Sequence, residues 1–192
     1  MERLLLARHA ESESGARGVV NGDLAVPSRL TELGRTQARA LGRAIAAEPV
    51  ELCATSEFPR AIETADLALA GRGVPRLVLP DLNEIGFGAF EGAPLPDYRA
   101  WAVAHGSDVD GPGGAESRAG AARRFARAFR ALTARDERTV LAVAHALPIR
   151  YLLSGPAPLV EPVPLAEPHA LSRDEALALL ERLEAWLAAP SW

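Results

Sequence analysis

The sequence predicts an α/β fold: a three-layer α/β/α sandwich with a mostly parallel central sheet. Short apolar runs of strand length alternate with longer helical segments, the order expected when right-handed crossovers cover both faces of a sheet. Two of these runs, 4–7 and 139–144, stop abruptly, the first at Arg8 and His9 and the second at His145. Because ligands of open α/β sheets bind at the carboxyl ends of the strands, we expect both imidazoles in one active site at that edge.

A loop and a helix are predicted to follow the first strand. Residues 12–29 are rich in Ser, Gly, Asn, Asp and Pro without periodicity, which predicts a loop over the site. Thr31 has the chemistry of an N-cap for a helix that runs through Ala47. The side chains predicted to share the apolar face of this helix are Leu33, Ala40, Leu41, Ala44 and Ile45.

A second strand and a second helix come next. Residues 50–55 are apolar or β-branched and predict a buried strand. Ser56 and Pro59 open a helix that runs to about Ala70, because Pro is favoured in a first turn and glycines follow the end. Arg60 is therefore expected in the first turn, close to the carboxyl end of the second strand.

The remaining elements continue this order around a segment that resembles an insertion. They are, in order, a strand at 77–79, a Gly-rich acidic run at 83–92, a helix at 97–105, a polar loop at 106–114, a helix capped by Glu116 or Ser117 that ends near Arg135, the strand at 139–144, a helix at 147–153, an extended or edge segment at 155–168, and a helix from Ser172 to about Leu187. Prolines exclude helix from the segment 155–168. No flexible linker interrupts the chain, which predicts one domain over residues 1–192.

Composition narrows the class of protein. The chain has 192 residues, 48% hydrophobic and 24% charged, enough for one well-buried core. Its net charge is −4, so no nucleic-acid or anionic-membrane partner is expected, although all 21 basic residues are Arg. No secretory signal is visible, nor a run of about 18 apolar residues, and a soluble cytoplasmic protein is expected. The single cysteine, Cys53, is predicted to be an inert core thiol.

Five segments of the chain resemble motifs of the histidine phosphatase (phosphoglycerate mutase-like) superfamily. In order along the chain they are Arg8-His9-Ala10-Glu11, residues 30–38, residues 56–65 around the second arginine, the acidic segment 82–92, and Ala144-His145-Ala146. One Arg-His pair alone occurs by chance. Five matches in family order are specific, and they span residues 4 to about 150.

The roles that this resemblance implies agree with the chemistry of the residues. Phosphoryl transfer needs fixed cations around three charged oxygens and an in-line nucleophile. Arg8 and Arg60 would bind the phosphate as bidentate donors. His9 is the expected nucleophile and would become a phosphohistidine, while His145 would bind an equatorial oxygen. Glu84 would protonate the leaving alkoxide and then activate water.

Each of these residues also has an interpretation in an ordinary structural role. Arg8 and His9 could instead form a surface ion pair with Glu11, and Arg60 could pair with Glu57 or Glu63. His145 could be a hydrogen-bonded core residue. Glu84 could be a solvated side chain, with Glu91 or Asp81 as the acid in its place. The arginines from 118 to 130 are spaced like the solvated face of a helix, and His105 and His169 are expected at the surface. The match of five motifs favours the catalytic roles.

The chain departs from the family pattern near both histidines. Ala10 and Ala146 stand where the family usually has Gly, and an added methyl group is expected to narrow the pocket or press on the backbone. Gly15 falls where the mutases have an asparagine. Asn21 and Gly22 are expected to supply a phosphate donor in its place.

The leading functional interpretation is a phosphatase that hydrolyses a small phosphomonoester without a metal or cofactor, since the four histidines lack metal-ligand spacing. The alternatives are a phosphoglycerate mutase-type phosphoryl transfer, a phosphohistidine-protein phosphatase, and a non-catalytic phosphate-binding module. Members of the protein-phosphatase branch generally lack the segment of Glu84. The sequence is compatible with a homodimer as well as with a monomer.

Overall fold

The computed structural model describes residues 1–156 and 162–191. The strands are β1 (Arg3–Arg8), β2 (Leu52–Thr55), β3 (Arg76–Val78), β4 (Thr139–Ala144) and β5 (Pro168–Ser172). The α-helices are α1 (Glu13–Ala16), α2 (Glu32–Ala44), α3 (Pro59–Ala68), α4 (Leu95–Ala104), α5 (Arg118–Thr133), α6 (Ala146–Ser154) and α7 (Arg173–Ala188). Short 3-10 turns at Pro80–Leu82, Gly88–Phe90 and Pro112–Gly114 lie in the insertion-like segment.

The strands form one sheet in the order β3-β2-β4-β1-β5. The first four are parallel to their neighbours, and only β5 runs antiparallel, at the edge beside β1. In the centre, β1 and β4 pair with Leu5 opposite Leu141 and Arg8 opposite Ala144. The two strands that were predicted to carry the histidines are therefore neighbours, and their carboxyl ends lie at the same edge of the sheet.

Helices cover both faces of this sheet, because successive side chains of a strand point to opposite sides. Leu4 and Leu6 of β1 pack into a core with α5 and α7, whereas Leu5 and Ala7 pack into a second core with α2 and α3. The apolar residues of β4 alternate between the two cores in the same way. The predicted three-layer α/β/α fold with a mostly parallel sheet is confirmed.

The predicted helix 32–47 differs from α2 in its length and in its buried face. The helix ends at Ala44, and Leu33 is 55% exposed although it was expected in the core. The buried face of α2 begins instead at Gly34. A Cβ at this position would stand 2.0 Å from the carbonyl oxygen of Glu11, so only glycine lets the helix approach so closely. This close approach of α2 to the end of β1 rotates Leu33 outward, and no pattern of apolar residues reveals it.

Other observed elements also begin or end at residues different from those predicted. The predicted loop 12–29 contains the short helix α1, with Ser12 as its N-cap. The proline-rich stretch 155–168 ends where the edge strand β5 begins, and residues 157–161 of that stretch lie outside the described residues. The predicted N-caps Thr31 and Ser172 are confirmed, the latter within a capping box with Glu175, and of the two candidates Glu116 and Ser117 the N-cap is Ser117. None of the helices in the described ranges is long and apolar enough to cross a membrane.

Candidate active site

The structure brings the two predicted histidines together at the carboxyl ends of β1 and β4. The backbone N–H of His9 donates to the carbonyl oxygen of Ala144 over 2.8 Å, which continues the ladder between the strands. The two ring centroids are 5.1 Å apart, with the imidazole planes inclined by 63°. Both side chains are almost fully buried. His9 lines a cavity of about 550 Å³, and His145 is not among the residues that line it.

Hydrogen bonds of the imidazole of His9 define which nitrogen is reactive. Nδ1 lies 2.7 Å from the carbonyl oxygen of Ala10, an acceptor, so Nδ1 carries the proton and donates. Nε2 accepts a hydrogen bond from Nε of Arg60 over 3.2 Å. Burial, together with the charges of Arg60 and Arg8, lowers the pKa of His9 well below its ordinary value. The ring is therefore neutral near pH 7, with its lone pair at Nε2.

Arg60 is buried at the start of α3 and reaches into the centre of the site. Its Nη1 donates to Oδ1 of Asn21 over 2.5 Å, and its Nη2 donates to the backbone oxygen of Asn21 over 2.8 Å and lies 3.3 Å from Nδ1 of His145. Burial lowers the pKa of Arg60 to about 10, which leaves it a cation at neutral pH. Thr64 fixes the backbone beneath it, because Oγ1 donates to the Arg60 carbonyl and accepts from the Ala10 N–H.

The rival pairings of the two arginines do not occur. Glu63 pairs with Arg35 at 2.9 Å, and Glu57 accepts from the side chain of Asn83 at 2.7 Å. The carboxylate of Glu11, the suggested partner of Arg8, accepts from the Thr31 hydroxyl.

Arg8 lines the cavity next to His9. It donates from Nη1 to the carbonyl oxygen of Val163 over 3.0 Å, and burial lowers its pKa. Arg8 and Arg60 are thus two cations at the ring of His9.

Ser56 holds the second histidine, a contact that the sequence interpretation missed. Nδ1 of His145 faces the Arg60 donor, so Nε2–H donates to Oγ of Ser56 over 2.8 Å. The ring of Phe58 packs against the same imidazole with a centroid distance of 4.9 Å. Burial and the charge of Arg60 keep the pKa of His145 well below its ordinary value. Ser56 directly follows β2, as His9 and His145 follow their strands, and this shared position was the available signal.

Glu84 is the acidic residue in the cavity lining, within the described residues. Burial raises the pKa of its carboxyl group, and the charges of Arg60 and Arg8 oppose this rise. Its backbone carbonyl and that of Asn83 accept hydrogen bonds from Arg124, which also pairs with Glu116. A cation on α5 therefore holds the segment that carries the acid.

The two rival acids are engaged elsewhere. The carboxylate of Glu91 accepts from the backbone N–H groups of Gly22 and Phe87, each over 2.9 Å. Asp81 pairs with Arg127 at the surface. Neither carboxylate lines the cavity.

Asn21 and Gly22, the predicted phosphate donors, form hydrogen bonds within the protein, and Asn21 also lines the cavity. The side-chain N–H groups of Asn21 donate to the carbonyl oxygens of Val26 and Asp23, and its oxygen orients Arg60. The N–H of Gly22 is occupied by Glu91, and Gly22 does not line the cavity. The loop therefore uses both residues to hold its own shape and to position the arginine.

The two alanines in place of glycine lie in different surroundings. The methyl group of Ala10 packs into the core between the sheet and helices α2 and α3 and does not line the cavity, so there it does not narrow the pocket as predicted. Ala146 is at the first turn of α6 and does line the cavity.

The cavity is also lined by residues of the loop after β1 and of helices α4, α5 and α6. Most of these side chains are apolar, and three are arginines, Arg99, Arg118 and Arg150. Arg118 is only 4% exposed, so the prediction that the arginines of α5 are all solvated was wrong for this one. Cys53 is buried in the core, and burial raises the pKa of its thiol to about 12. His105 stacks on Trp101 and His169 is exposed, so neither belongs to the site. Within the described ranges, no cluster of three or more His, Cys, Asp or Glu side chains forms a metal site.

Comparison with known proteins agrees with this geometry. The profile of the histidine phosphatase superfamily (branch 1) matches residues 4–162. A 2,3-bisphosphoglycerate-dependent phosphoglycerate mutase from Methylobacterium sp. is 36% identical over 170 residues, 80% of each chain. An adenosylcobalamin/alpha-ribazole phosphatase from Salmonella typhimurium is 43% identical over 89 residues, which are 46% of this chain and 43% of that protein. The chain thus spans less than half the length of the curated alpha-ribazole phosphatases that it matches.

Similarity to a solved structure extends over most of the molecule. The alpha-ribazole phosphatase from Shigella flexneri superposes with a TM-score of 0.75 at 28% sequence identity, over 88% of this chain and 89% of that one. The matched profile covers β1 to the end of α6 and so includes both histidines, Arg60 and Glu84. The chain belongs to the histidine phosphatase superfamily.

Proposed function

We propose that this protein is a metal-independent phosphatase that hydrolyses a small phosphomonoester through a phosphohistidine on His9. The observation that carries the proposal is the state of His9: a neutral ring with its lone pair at Nε2, hydrogen-bonded by the Arg60 guanidinium group and packed against a second buried imidazole. A neutral imidazole is a nucleophile, and cations around it offset the charge of the phosphoryl oxygens.

The first chemical step forms the phosphoenzyme. Nε2 of His9 attacks phosphorus, and the bond from phosphorus to the ester oxygen breaks. Arg8, Arg60 and His145 bind the non-bridging oxygens as charge moves onto them. Glu84, whose pKa is raised by burial, transfers its proton to the leaving alkoxide, which departs as the alcohol.

The second step releases phosphate. Water enters in place of the alcohol, the Glu84 carboxylate accepts its proton, and the oxygen attacks phosphorus as the bond to Nε2 breaks. The products are inorganic phosphate and the original neutral imidazole, with Glu84 protonated again. Each proton that the acid gives in the first step is regained in the second.

Trapping the intermediate tests the proposal. Turnover of labelled p-nitrophenyl phosphate should leave label on His9 that is stable in base and labile in acid, and His9→Ala should lose it. Label on a serine, or label that persists in His9→Ala, would contradict the assignment of the nucleophile.

A phosphoglycerate mutase-type transfer is the second candidate, favoured by the 36% identity to a mutase over 80% of the chain. The similarity to alpha-ribazole phosphatases favours hydrolysis. Incubation with 3-phosphoglycerate decides between them: free phosphate supports the phosphatase, and 2-phosphoglycerate supports the mutase.

The setting of the enzyme is also part of the proposal. We infer that residues 1–192 act as one domain in the cytoplasm on a small phosphorylated substrate, without nucleic-acid or membrane partners. The free, buried thiol of Cys53 is consistent with a reducing compartment. The net charge of −4 gives no attraction to nucleic acid or to an anionic membrane. Light scattering after size-exclusion chromatography would separate a monomer from the homodimer alternative.

A further inference from the structure

Apolar side chains form much of the lining of the cavity that contains His9. Four of them keep part of their surface exposed: Val19, Leu95, Val103 and Leu147. They belong to the segment after β1, to α4 and to α6. The cavity, at about 550 Å³, is of the size that encloses a small-molecule ligand. Exposed apolar surface beside a nucleophile is surface that a bound ligand can remove from water.

Val103 on α4 is the clearest of these residues. Its side chain is 62% exposed and belongs to neither of the two hydrophobic cores. Single exposed apolar residues are common on protein surfaces, but this one lines the cavity of the active site. Val109, in the loop that follows α4, is 42% exposed and does not line the cavity. A hydrocarbon ligand in the cavity would cover Val103 and leave Val109 exposed.

Aromatic rings extend the apolar lining. Phe87 and Tyr98 both line the cavity and contact each other edge to face, with ring centroids 4.8 Å apart and planes at 88°. The hydroxyl oxygens of Tyr98 and Tyr151 are fully buried, so these residues present ring carbons to the cavity. Such rings bury a large apolar area when a ligand packs against them.

The neutral polar side chains of the lining are already bonded within the protein. Ser12 caps α1, and Oγ of Ser14 forms a hydrogen bond with Oγ of Ser28 over 2.8 Å. The side-chain oxygen of Asn21 accepts from Arg60. A leaving group rich in hydroxyl groups therefore finds fewer hydrogen-bond partners in this cavity than in water, which disfavours its binding.

The arginines of the lining do not require an anion on the leaving group. Arg99 is exposed and Arg150 is half-buried, so water reaches their side chains without a ligand. Arg118 donates to the carbonyl oxygen of His105. The methylene groups of long arginine side chains can also pack against an apolar ligand.

We propose that the substrate is a phosphomonoester of an apolar alcohol, whose uncharged alkyl or aryl body packs against Leu95, Val103 and Leu147. The inference rests on the proposed function and specifies its substrate class. Because His9 lines the same cavity, a phosphate bound at His9 leaves the apolar lining to the leaving group. Burial of that group supplies binding energy away from the reacting atoms.

A series of n-alkyl phosphates from ethyl to n-hexyl tests the proposal, because the acidity of the alcohol hardly changes along it. The value of kcat/KM should rise by about two- to fourfold for each added methylene group, mainly through a lower KM. The ω-hydroxypentyl phosphate matches n-hexyl phosphate in length and should be about tenfold poorer in kcat/KM. A flat or falling series would overturn the proposal, as would an ω-hydroxypentyl or ω-carboxypentyl phosphate that equals or exceeds the n-hexyl ester.

Two exposed valines provide a matched pair of variants. Val103→Ser should lower the ratio of kcat/KM for n-hexyl over ethyl phosphate by about threefold or more, whereas Val109→Ser should keep the ratio. Leu147→Ser repeats the comparison at a half-buried position, with thermal melting as a check of folding. A ratio that stays unchanged in both Val103→Ser and Leu147→Ser would overturn the proposed binding surface.

Binding measurements separate this inference from the proposed function. Calorimetry with non-hydrolysable n-alkylphosphonates should show affinity that rises with chain length in the wild type and rises less in Val103→Ser. If affinity rises in this way but p-nitrophenyl phosphate leaves no phosphate on His9, the proposed function alone is contradicted. If His9 is phosphorylated but neither affinity nor kcat/KM depends on chain length, the inference about the leaving group alone is overturned.

Discussion

Nε of Arg60 donates a hydrogen bond to Nε2 of His9 over 3.2 Å. The contact directs the lone pair of the imidazole toward the guanidinium group that is proposed to bind the phosphate. Asn21 fixes that guanidinium through two further hydrogen bonds. Nucleophile and phosphate donor are therefore positioned by the same set of contacts before substrate arrives.

Removing the guanidinium group should impair catalysis far more than folding. Arg60→Ala should lower kcat/KM by about 10²–10³, the usual cost of losing one preorganised donor to a developing charge. Steady-state kinetics with p-nitrophenyl phosphate and a melting curve measure both effects. Arg39→Ala, on the exposed face of α2, is the control. A loss of about tenfold or less would return Arg60 to a structural role.

The acid role of Glu84 should depend on the leaving group. An alkoxide needs a proton as it leaves, whereas p-nitrophenolate departs without one. Glu84→Gln should therefore cripple hydrolysis of alkyl phosphates much more than phosphorylation of His9 by p-nitrophenyl phosphate, measured in the pre-steady state. Asp81→Asn should affect neither substrate. An equal loss for both leaving groups would move the acid role to another residue.

Arg124 should act through Glu84. Its guanidinium group holds the carbonyl oxygens of Asn83 and Glu84, so Arg124→Met should loosen the segment and reduce alkyl phosphate turnover by about tenfold, with a smaller effect on p-nitrophenyl phosphate. The ratio of the two rates is the measurement. Arg127→Met, one turn along α5 and paired with Asp81 at the surface, is the matched control and should leave the ratio unchanged.

Ser56 should position His145. Ser56→Ala removes the acceptor for Nε2–H, so the ring is free to change tautomer and rotate. We expect kcat to fall by about tenfold with little change in KM, because the contact matters most as charge develops on the phosphoryl oxygens. Nitrogen chemical shifts of His145 should report a mixture of tautomers. An unchanged kcat with unchanged shifts would remove Ser56 from the catalytic arrangement.

The buried histidines should make stability depend on pH. Their pKa values are lowered in the folded state, so below about pH 6.5 the unfolded chain binds protons that the folded chain does not. The free energy of unfolding should therefore fall as the pH drops from about 7.5 to 5. The raised pKa of Glu84 contributes with the opposite sign, losing stability as pH rises.

Urea denaturation of Glu84→Gln across this range isolates the histidines, and the fall toward low pH should be steeper than in the wild type. A second variant that adds His145→Gln should show a shallower fall. A flat profile in Glu84→Gln would mean that the two imidazoles are as easily protonated in the folded protein as in the unfolded chain.

Local patterns predicted much of the molecule. Apolar runs located β1 and β4, and side-chain chemistry located the caps Thr31, Ser117 and Ser172, because these signals involve residues close in sequence. The face of α2 was predicted correctly at Leu41 and Ile45, which are buried, and wrongly at Leu33, which is exposed. The contact of Gly34 with the backbone of Glu11 joins residues 23 positions apart, and it overrides the apolar pattern around Leu33.

The active site divides in the same way. The sequence by itself determined that His9 and His145 would meet, because parallel neighbouring strands place their carboxyl ends together, and the motif order identified Arg60 and Glu84 as their companions. Only the tertiary structure decided that Ser56 holds His145, that the side-chain oxygen of Asn21 accepts a hydrogen bond from Arg60, and that Arg118 lies in the cavity. These contacts join side chains that are far apart in sequence and meet only in the folded interior. Such pairs leave no periodic pattern and no local motif in the sequence, so only the folded structure reveals them.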